Sequence, residues 1–218
     1  MEYLYCAVIG YLAGCINPSY LISRAKGYDI RKKGSGNAGA SNAFIVVGKV
    51  IGVFCALFDI AKAYFACLIA HALFPSFVHA LAVTGTACIL GHVFPFYMGF
   101  KGGKGLACIA GVAIFFDWRI FLAYLAWAVL VVVVTDYVCF VAPTCSVSFC
   151  FVYGFVSGDL VGALIFAVAA VVMTAKHFEN FRRIKEGKEM RYSYILHPDR
   201  ELKRITEDEG ADEHPSKN

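Results

Sequence analysis

Two stretches, Ile120 to Thr135 and Leu160 to Ala175, run without one charged side chain, and comparable apolar runs recur along most of the chain. Each approaches the ~20 residues that a helix needs to cross the hydrocarbon of a bilayer. A soluble core can bury one such helix. A chain of 218 residues, 59% of them hydrophobic and only 17% charged, has too little polar surface to cover them all. The composition therefore predicts an all-α integral membrane protein with lipid as the solvent of its outer surface.

The runs predict seven membrane spans at roughly 3–23, 50–73, 78–97, 105–116, 120–135, 138–156 and 160–175. The region after Leu106 is hard to divide, because only Asp117, Arg119, Asp136, Gly158 and Asp159 punctuate it. Charge fixes the parity. Of the 20 Lys and Arg, six lie between Arg24 and Lys49, two are Lys101 and Lys104, and ten begin at Lys176. Placing these groups on one side satisfies the positive-inside rule and requires an even number of spans between the Lys104 loop and the tail. Two spans would take about 35 residues each and four about 17, so four fits the bilayer better. The expected N-terminus is then outside and the C-terminus cytoplasmic, with a membrane domain over 1–191 and a charged, mobile tail over 192–218. The first run lacks the positive n-region of a signal peptide and continues through Asn17-Pro18 to Arg24, so it reads as a span. The nine cysteines sit in or beside apolar runs without a Cys-x-x-Cys pair, which marks them as small hydrophobes rather than a metal site or disulfide framework.

Three polar segments fall on the predicted cytoplasmic side. The first is Gly34-Ser35-Gly36-Asn37-Ala38-Gly39-Ala40-Ser41-Asn42, after Arg31-Lys32-Lys33. Glycine lets backbone amides converge, and Ser and Asn add neutral donors, so the segment suits an anion, although read alone it suits a plain loop as well. The second runs from Gly91-His92 through Pro95 to Phe100-Lys101-Gly102-Gly103-Lys104-Gly105 and opens directly into the next helix. Membrane anchoring accounts for the two lysines but not for the glycines around them; an anion site at a helix start accounts for both. The nucleotide P-loop spacing is absent. The third, Lys176-His177-Phe178-Glu179-Asn180-Phe181-Arg182-Arg183, leaves the last span with His177 and Asn180 on one helical face, as a polar site or as interfacial anchors.

Together these segments resemble the three cytoplasmic motifs of the bacterial membrane glycerol-3-phosphate acyltransferases that draw their acyl group from acyl-phosphate. The likeness includes Gly10-Tyr11-Leu12-Ala13-Gly14, Gly27-Tyr28-Asp29-Ile30-Arg31, Asp59-Ile60-Ala61-Lys62 and Gly187-Lys188-Glu189. It implies seven spans in a bacterial plasma membrane and an active site open to the cytoplasm. It also implies transfer of a fatty acyl group to the sn-1 hydroxyl of glycerol 3-phosphate, giving lysophosphatidic acid and phosphate at the start of phospholipid synthesis. By resemblance Lys104 and His177 are catalytic, while Ser35, Gly36, Asn37, Gly102, Gly103 and Asn180 bind substrate. No cofactor, metal, nucleic acid or obligatory protein partner is implied; the partners are the two substrates and the bilayer. Acyl-phosphate is already activated, so Ser35 reads as a binder rather than an acyl carrier. The base is left open between His177 and the substrate phosphate.

The chain also departs from the pattern. An arginine expected shortly after Ser41-Asn42 is replaced at Ile45, and an expected Thr-Arg-Tyr followed by serines reads Thr135-Asp136-Tyr137 with Cys139 and Ala142. These changes predict a weaker phosphate site unless Arg24, Arg31 or Arg183 compensates. They leave open a paralogue that transports or merely binds a phosphate-bearing ligand. The spacing of Asp59 and Lys62, i and i+3 within a span, would suit a transporter's intramembrane pair.

Overall fold

A computed structural model describes residues 1–195. These form ten α-helices and no strand: α1 (Glu2–Cys15), α2 (Pro18–Ala25), α3 (Ala40–Val46), α4 (Lys49–Leu73), α5 (Ala80–Val93), α6 (Leu106–Phe116), α7 (Trp118–Thr135), α8 (Val141–Ser157), α9 (Leu160–Ala175) and α10 (Phe178–Lys185). Six segments are long and apolar enough to cross a membrane, and α6 is a shorter apolar helix. Each of the seven expected runs is therefore helical. With 11 residues, however, α6 rises only about 16 Å, roughly half the hydrocarbon thickness.

The first expected span is broken in the middle. α1 ends at Cys15, and Asn17 accepts the Tyr20 amide at 2.9 Å to cap α2, with Pro18 in the first turn, where a missing N–H costs nothing. Carbonyls left without partners at the end of α1 would be costly inside a bilayer. The Lys62 ammonium of α4 takes two of them, donating to Gly14 at 3.1 Å and Ile16 at 2.6 Å. Lys62 is itself paired with Asp59 at 2.6 Å.

Small residues set the helix spacing. A methyl group on Gly14 would overlap the Cys88 carbonyl of α5, and one on Gly91 would overlap the Tyr11 carbonyl of α1, so these two helices meet backbone to backbone. The opposite part of the bundle is filled by rings. Phe149 of α8 meets Phe166 of α9 edge to face at 5.0 Å, and Tyr153 packs on both. Large apolar side chains such as Val133, Val134, Phe155 and Val171 point outward, as a lipid-facing surface requires. At one end of the bundle Asp159 caps α9 through the Gly162 amide and joins His79 at 2.9 Å and Tyr153 at 3.1 Å.

All nine cysteines are free, and eight are buried, in keeping with their reading as small apolar side chains. The first residues of the expected tail are structured. Tyr192–Ile195 form a short 3-10 helix, and the Ser193 amide and hydroxyl each donate to the Asp136 carboxylate at 2.9 Å. The rest of the expected tail lies outside the described residues.

Candidate active site

The first polar segment is shaped by one side chain. Asn42, buried at the start of α3, donates to the carbonyls of Ile30, Lys33 and Asn37 at 3.2, 3.0 and 2.9 Å and accepts the Ser35 amide at 3.0 Å. That hub folds 30–37 around itself and leaves Ser35 and Asn37 on its rim. Arg31 ties this loop to the second segment, donating to the Met98 carbonyl at 2.5 Å and the Lys101 carbonyl at 3.3 Å while held by Asp29 at 2.8 Å. The Arg31 guanidinium holds the Asp29 carboxyl at about 2, below the usual carboxylate range. Arg31 is thus occupied by structure, which removes it as a compensating phosphate ligand.

In the second segment the amides of Gly102 and Gly103 donate to the Val93 and His92 carbonyls, each at 3.0 Å, which satisfies the end of α5. The Gly36 amide likewise donates to the Lys33 carbonyl at 3.2 Å. These three glycines are not among the residues that line the cavity described below, and their amides are engaged by backbone carbonyls. They serve close approach instead: a methyl group on Gly103 would overlap Nε2 of His92, and Gly36 has a positive φ of 72°. The tight course of 102–103 delivers Lys104 to the start of α6. Burial, and next the nearby Arg183 charge, hold the Lys104 amine below the ordinary lysine range.

The third segment is not one continuous face. α9 ends at Ala175, the chain tightens so that the His177 amide donates to the Thr174 carbonyl at 2.9 Å, and α10 resumes at Phe178. His177 Nδ1 lies 2.7 Å from the Met173 carbonyl, an acceptor only, so in the neutral ring Nε2 is the atom left to accept. Lys104 Nζ donates to Asn180 Oδ1. Asn180 Nδ2 then donates to Glu189 at 2.6 Å, and Glu189 holds Arg183 at 2.7 Å. Sequence reasoning noticed Glu189 only as part of a resemblance; its link to Asn180 depends on the turn at Gly187, φ 72°.

Ser35, Asn37, Lys104, His177 and Asn180 all line one cavity of about 610 Å³. Beyond this polar end its walls are mostly apolar, with Val53, Ala56 and Ile60 of α4, Ala110 and Ala113 of α6, Phe121 and Tyr124 of α7, and Phe149 of α8, beside Asp59 and His92. Ile45 and Cys139 lie in the wall, whereas Ala142 is buried in the core away from it. Asp136 does not face the cavity as a repulsive carboxylate, because both its oxygens accept from Ser193. Asp59, His92 and Cys108 offer ligand atoms close enough for a metal ion. Lys62 Nζ occupies that neighbourhood, 2.6 Å from Asp59 and 3.1 Å from His92 Nδ1, and a fixed ammonium there does not fit a cation.

The model of one protein family, described as glycerol-3-phosphate acyltransferase, matches residues 4–187. The chain belongs to this family. Among its relatives, the glycerol-3-phosphate acyltransferase of Thermotoga petrophila is 35% identical over 184 residues, covering 84% of this chain and 92% of the relative. That of Aquifex aeolicus is 34% identical over 200 residues, covering 88% and 100%. The crystal structure of PlsY, an integral membrane glycerol 3-phosphate acyltransferase, in its glycerol 3-phosphate form superposes with a TM-score of 0.81 at 31% identity, covering 91% of this chain and all of that one. Its lysophosphatidic acid form gives 0.77 at 31% identity over 90% and 100%. The family match spans all three polar segments.

Proposed function

We propose that this protein is an enzyme that moves a fatty acyl group from acyl-phosphate to the sn-1 hydroxyl of glycerol 3-phosphate, forming lysophosphatidic acid and inorganic phosphate. The observation that carries the reading is the two-sided cavity: a polar end with Lys104, Asn180, His177, Ser35 and Asn37, continued by mostly apolar walls in which the one acid, Asp59, is paired with Lys62. Such a space suits one ligand that is a phosphate at one end and an alkyl chain at the other. A second, fully polar phosphate fits the rim. The membership of the family and the likeness to an acyltransferase crystallised with glycerol 3-phosphate and with lysophosphatidic acid support it.

In the proposed step the acceptor hydroxyl oxygen bonds to the acyl carbonyl carbon, and the bond from that carbon to the phosphate oxygen breaks. The hydroxyl proton passes to His177 Nε2 or to the departing phosphate. The Lys104 ammonium stabilises the negative charge that develops on the carbonyl and the leaving phosphate, a fixed electrostatic role. Asn180 aims Lys104, and Ser35 and Asn37 hydrogen-bond phosphate oxygens. No enzyme nucleophile is required, because the mixed anhydride is already activated. We place the polar end at the cytoplasmic face of a bacterial plasma membrane, supported by the one-sided Lys and Arg distribution.

Purified protein in detergent, given a long-chain acyl-phosphate and radiolabelled glycerol 3-phosphate with no thioester present, should form labelled lysophosphatidic acid and release phosphate in equal amounts. Product only when an acyl thioester is added would overturn the donor assignment, and labelled glycerol 3-phosphate merely accumulating inside proteoliposomes would favour transport.

A further inference from the structure

The chain reaches Lys104 through Gly103, and one residue holds Gly103 twice. The Gly103 amide donates to the His92 carbonyl at 3.0 Å. A methyl group on Gly103 would overlap Nε2 of the His92 ring, and the next nearest atoms, at 2.9 Å, are the ring carbons Cδ2 and Cε1. Gly103 has no positive φ, so the ring rather than the backbone conformation demands glycine there. A loop that rests against a ring is placed only as well as the ring itself.

That ring is fixed from its other side. Lys62 Nζ lies 3.1 Å from His92 Nδ1, and the same ammonium is tied to Asp59 at 2.6 Å and to the Gly14 and Ile16 carbonyls at 3.1 and 2.6 Å. His92, Lys62 and Asp59 are all buried. Stability alone is a weak reason for such a cluster, because a buried ion pair is costly to desolvate and apolar side chains of like volume often serve as well. Orientation is a stronger one, since a catalytic side chain needs supporting residues whose own places are locked by packing and hydrogen bonds. The proposed chemistry makes no use of His92, although it lines the cavity beside Lys104.

We propose that His92 is a positioning residue of the site: its ring, braced by Lys62 and Asp59, is the stop against which Gly103 rests, and so sets where the Lys104 ammonium stands. The inference rests on the acyltransferase reading for the role of Lys104. Asn180 holds the far end of that lysine, and His92 fixes the backbone from which it starts.

The test is a cycle of four full-length proteins: the parent, Gly103→Ala, His92→Asn and the double variant. Asparagine keeps a side-chain acceptor near the former Nδ1 for Lys62 but is too short to reach Gly103. Gly103→Ala should lower kcat about 10²-fold, the scale for misplacing a catalytic group by about 1 Å, and His92→Asn about tenfold, because the loop loses its stop without being pushed. In the double variant the methyl group fits the space that the ring has left. Its kcat should therefore match that of His92→Asn rather than fall about 10³-fold below the parent. Losses that simply multiply, or a kcat of His92→Asn within about twofold of the parent, overturn the proposal. The pH–rate profile separates positioning from a merely structural role. Without the stop, Lys104 meets more water, so in His92→Asn the alkaline limb should move to higher pH, toward the ordinary lysine value, and an unmoved limb rejects the proposal. Should His92→Asn not fold, His92→Gln takes its place in the same cycle under the same criteria. If the parent forms no lysophosphatidic acid, the acyltransferase reading fails. 15N NMR of the Lys104 ammonium, assigned with Lys104→Arg, then decides the brace by itself: a higher pKa in the His92 variant supports it, and an equal pKa rejects it.

Discussion

Lys104 and Asn180, 76 positions apart, are joined ammonium to amide oxygen, and the other end of that amide is held by Glu189. The bond fixes a long, flexible side chain in one place. Lys104→Ala should therefore lower kcat/KM by about 10²- to 10³-fold, the range for removing one stabiliser of developing charge. Asn180→Leu should lose less, about tenfold, because the ammonium remains but is no longer aimed. Steady-state kinetics on the folded variants decide both.

The same lysine sets an alkaline limit. Because burial and Arg183 lower its affinity for protons, the ammonium is lost below the ordinary lysine value of about 10.4. The rate should thus fall as pH rises through that lowered pKa. Lys104→Arg, however active, should lack this limb, since a guanidinium does not titrate there. A pH–rate profile that keeps the same alkaline limb in Lys104→Arg would assign it to another group.

Arg31 and Asp29 clamp the first two polar loops together, and the carboxylate is the titrating member, held at about 2, below its ordinary value of 3.8. The folded pKa is the lower one, so the clamp's contribution is complete above about 3.8 and is lost as pH falls toward about 2. Arg31→Ala should reduce stability by on the order of 2 kcal/mol near neutrality. The difference from the parent should shrink on acidification below pH 4, as read by thermal unfolding in detergent.

Ile45→Arg adds a cation to the cavity wall and should tighten glycerol 3-phosphate binding severalfold, with the gain falling as salt is added. Asp136→Arg, by contrast, removes the acceptor for Ser193 and should weaken binding. The double variant should therefore fall below Ile45→Arg alone. KM in the four proteins of this cycle checks the order.

Sidedness is open to direct measurement. In a cysteine-free background, single cysteines at the exposed positions Lys32, Lys101 and Lys185 should react with an impermeant maleimide only from the cytoplasmic side, and one at Ser76 only from the other side. Reaction of the first three from different sides would break the shared-cavity reading.

Much of the helix plan was legible because lipid demands long charge-free runs, and no other solvent explains Ile120 to Thr135. The convergence of Ser35, Asn37, Lys104, His177 and Asn180 was legible too, since charge parity puts their segments on one side. The break after Cys15 was written in Asn17-Pro18, a cap followed by a first-turn proline, but the run's apolar character hid it. Where the Gly102 and Gly103 amides point was not legible, because glycine content does not say where an N–H points; in the structure the end of α5 takes those donors. Asp136 was beyond reach, since its partner Ser193 lies in a segment whose charge content alone suggested a loose tail.

The Asp59 and Lys62 pair has a consequence for how the protein is made. Taken singly, each charge would oppose entry of α4 into the bilayer by about 2.5–3.5 kcal/mol on the insertion scale. Three residues apart on one helix and 2.6 Å from each other, they can enter as a net-neutral unit before any neighbouring helix arrives. Only after α1 assembles beside α4 does the lysine acquire the Gly14 and Ile16 carbonyls. The ion pair can thus act as a travelling companion during biogenesis and as an anchor afterwards, with the translocon meeting a helix whose cost is already partly cancelled.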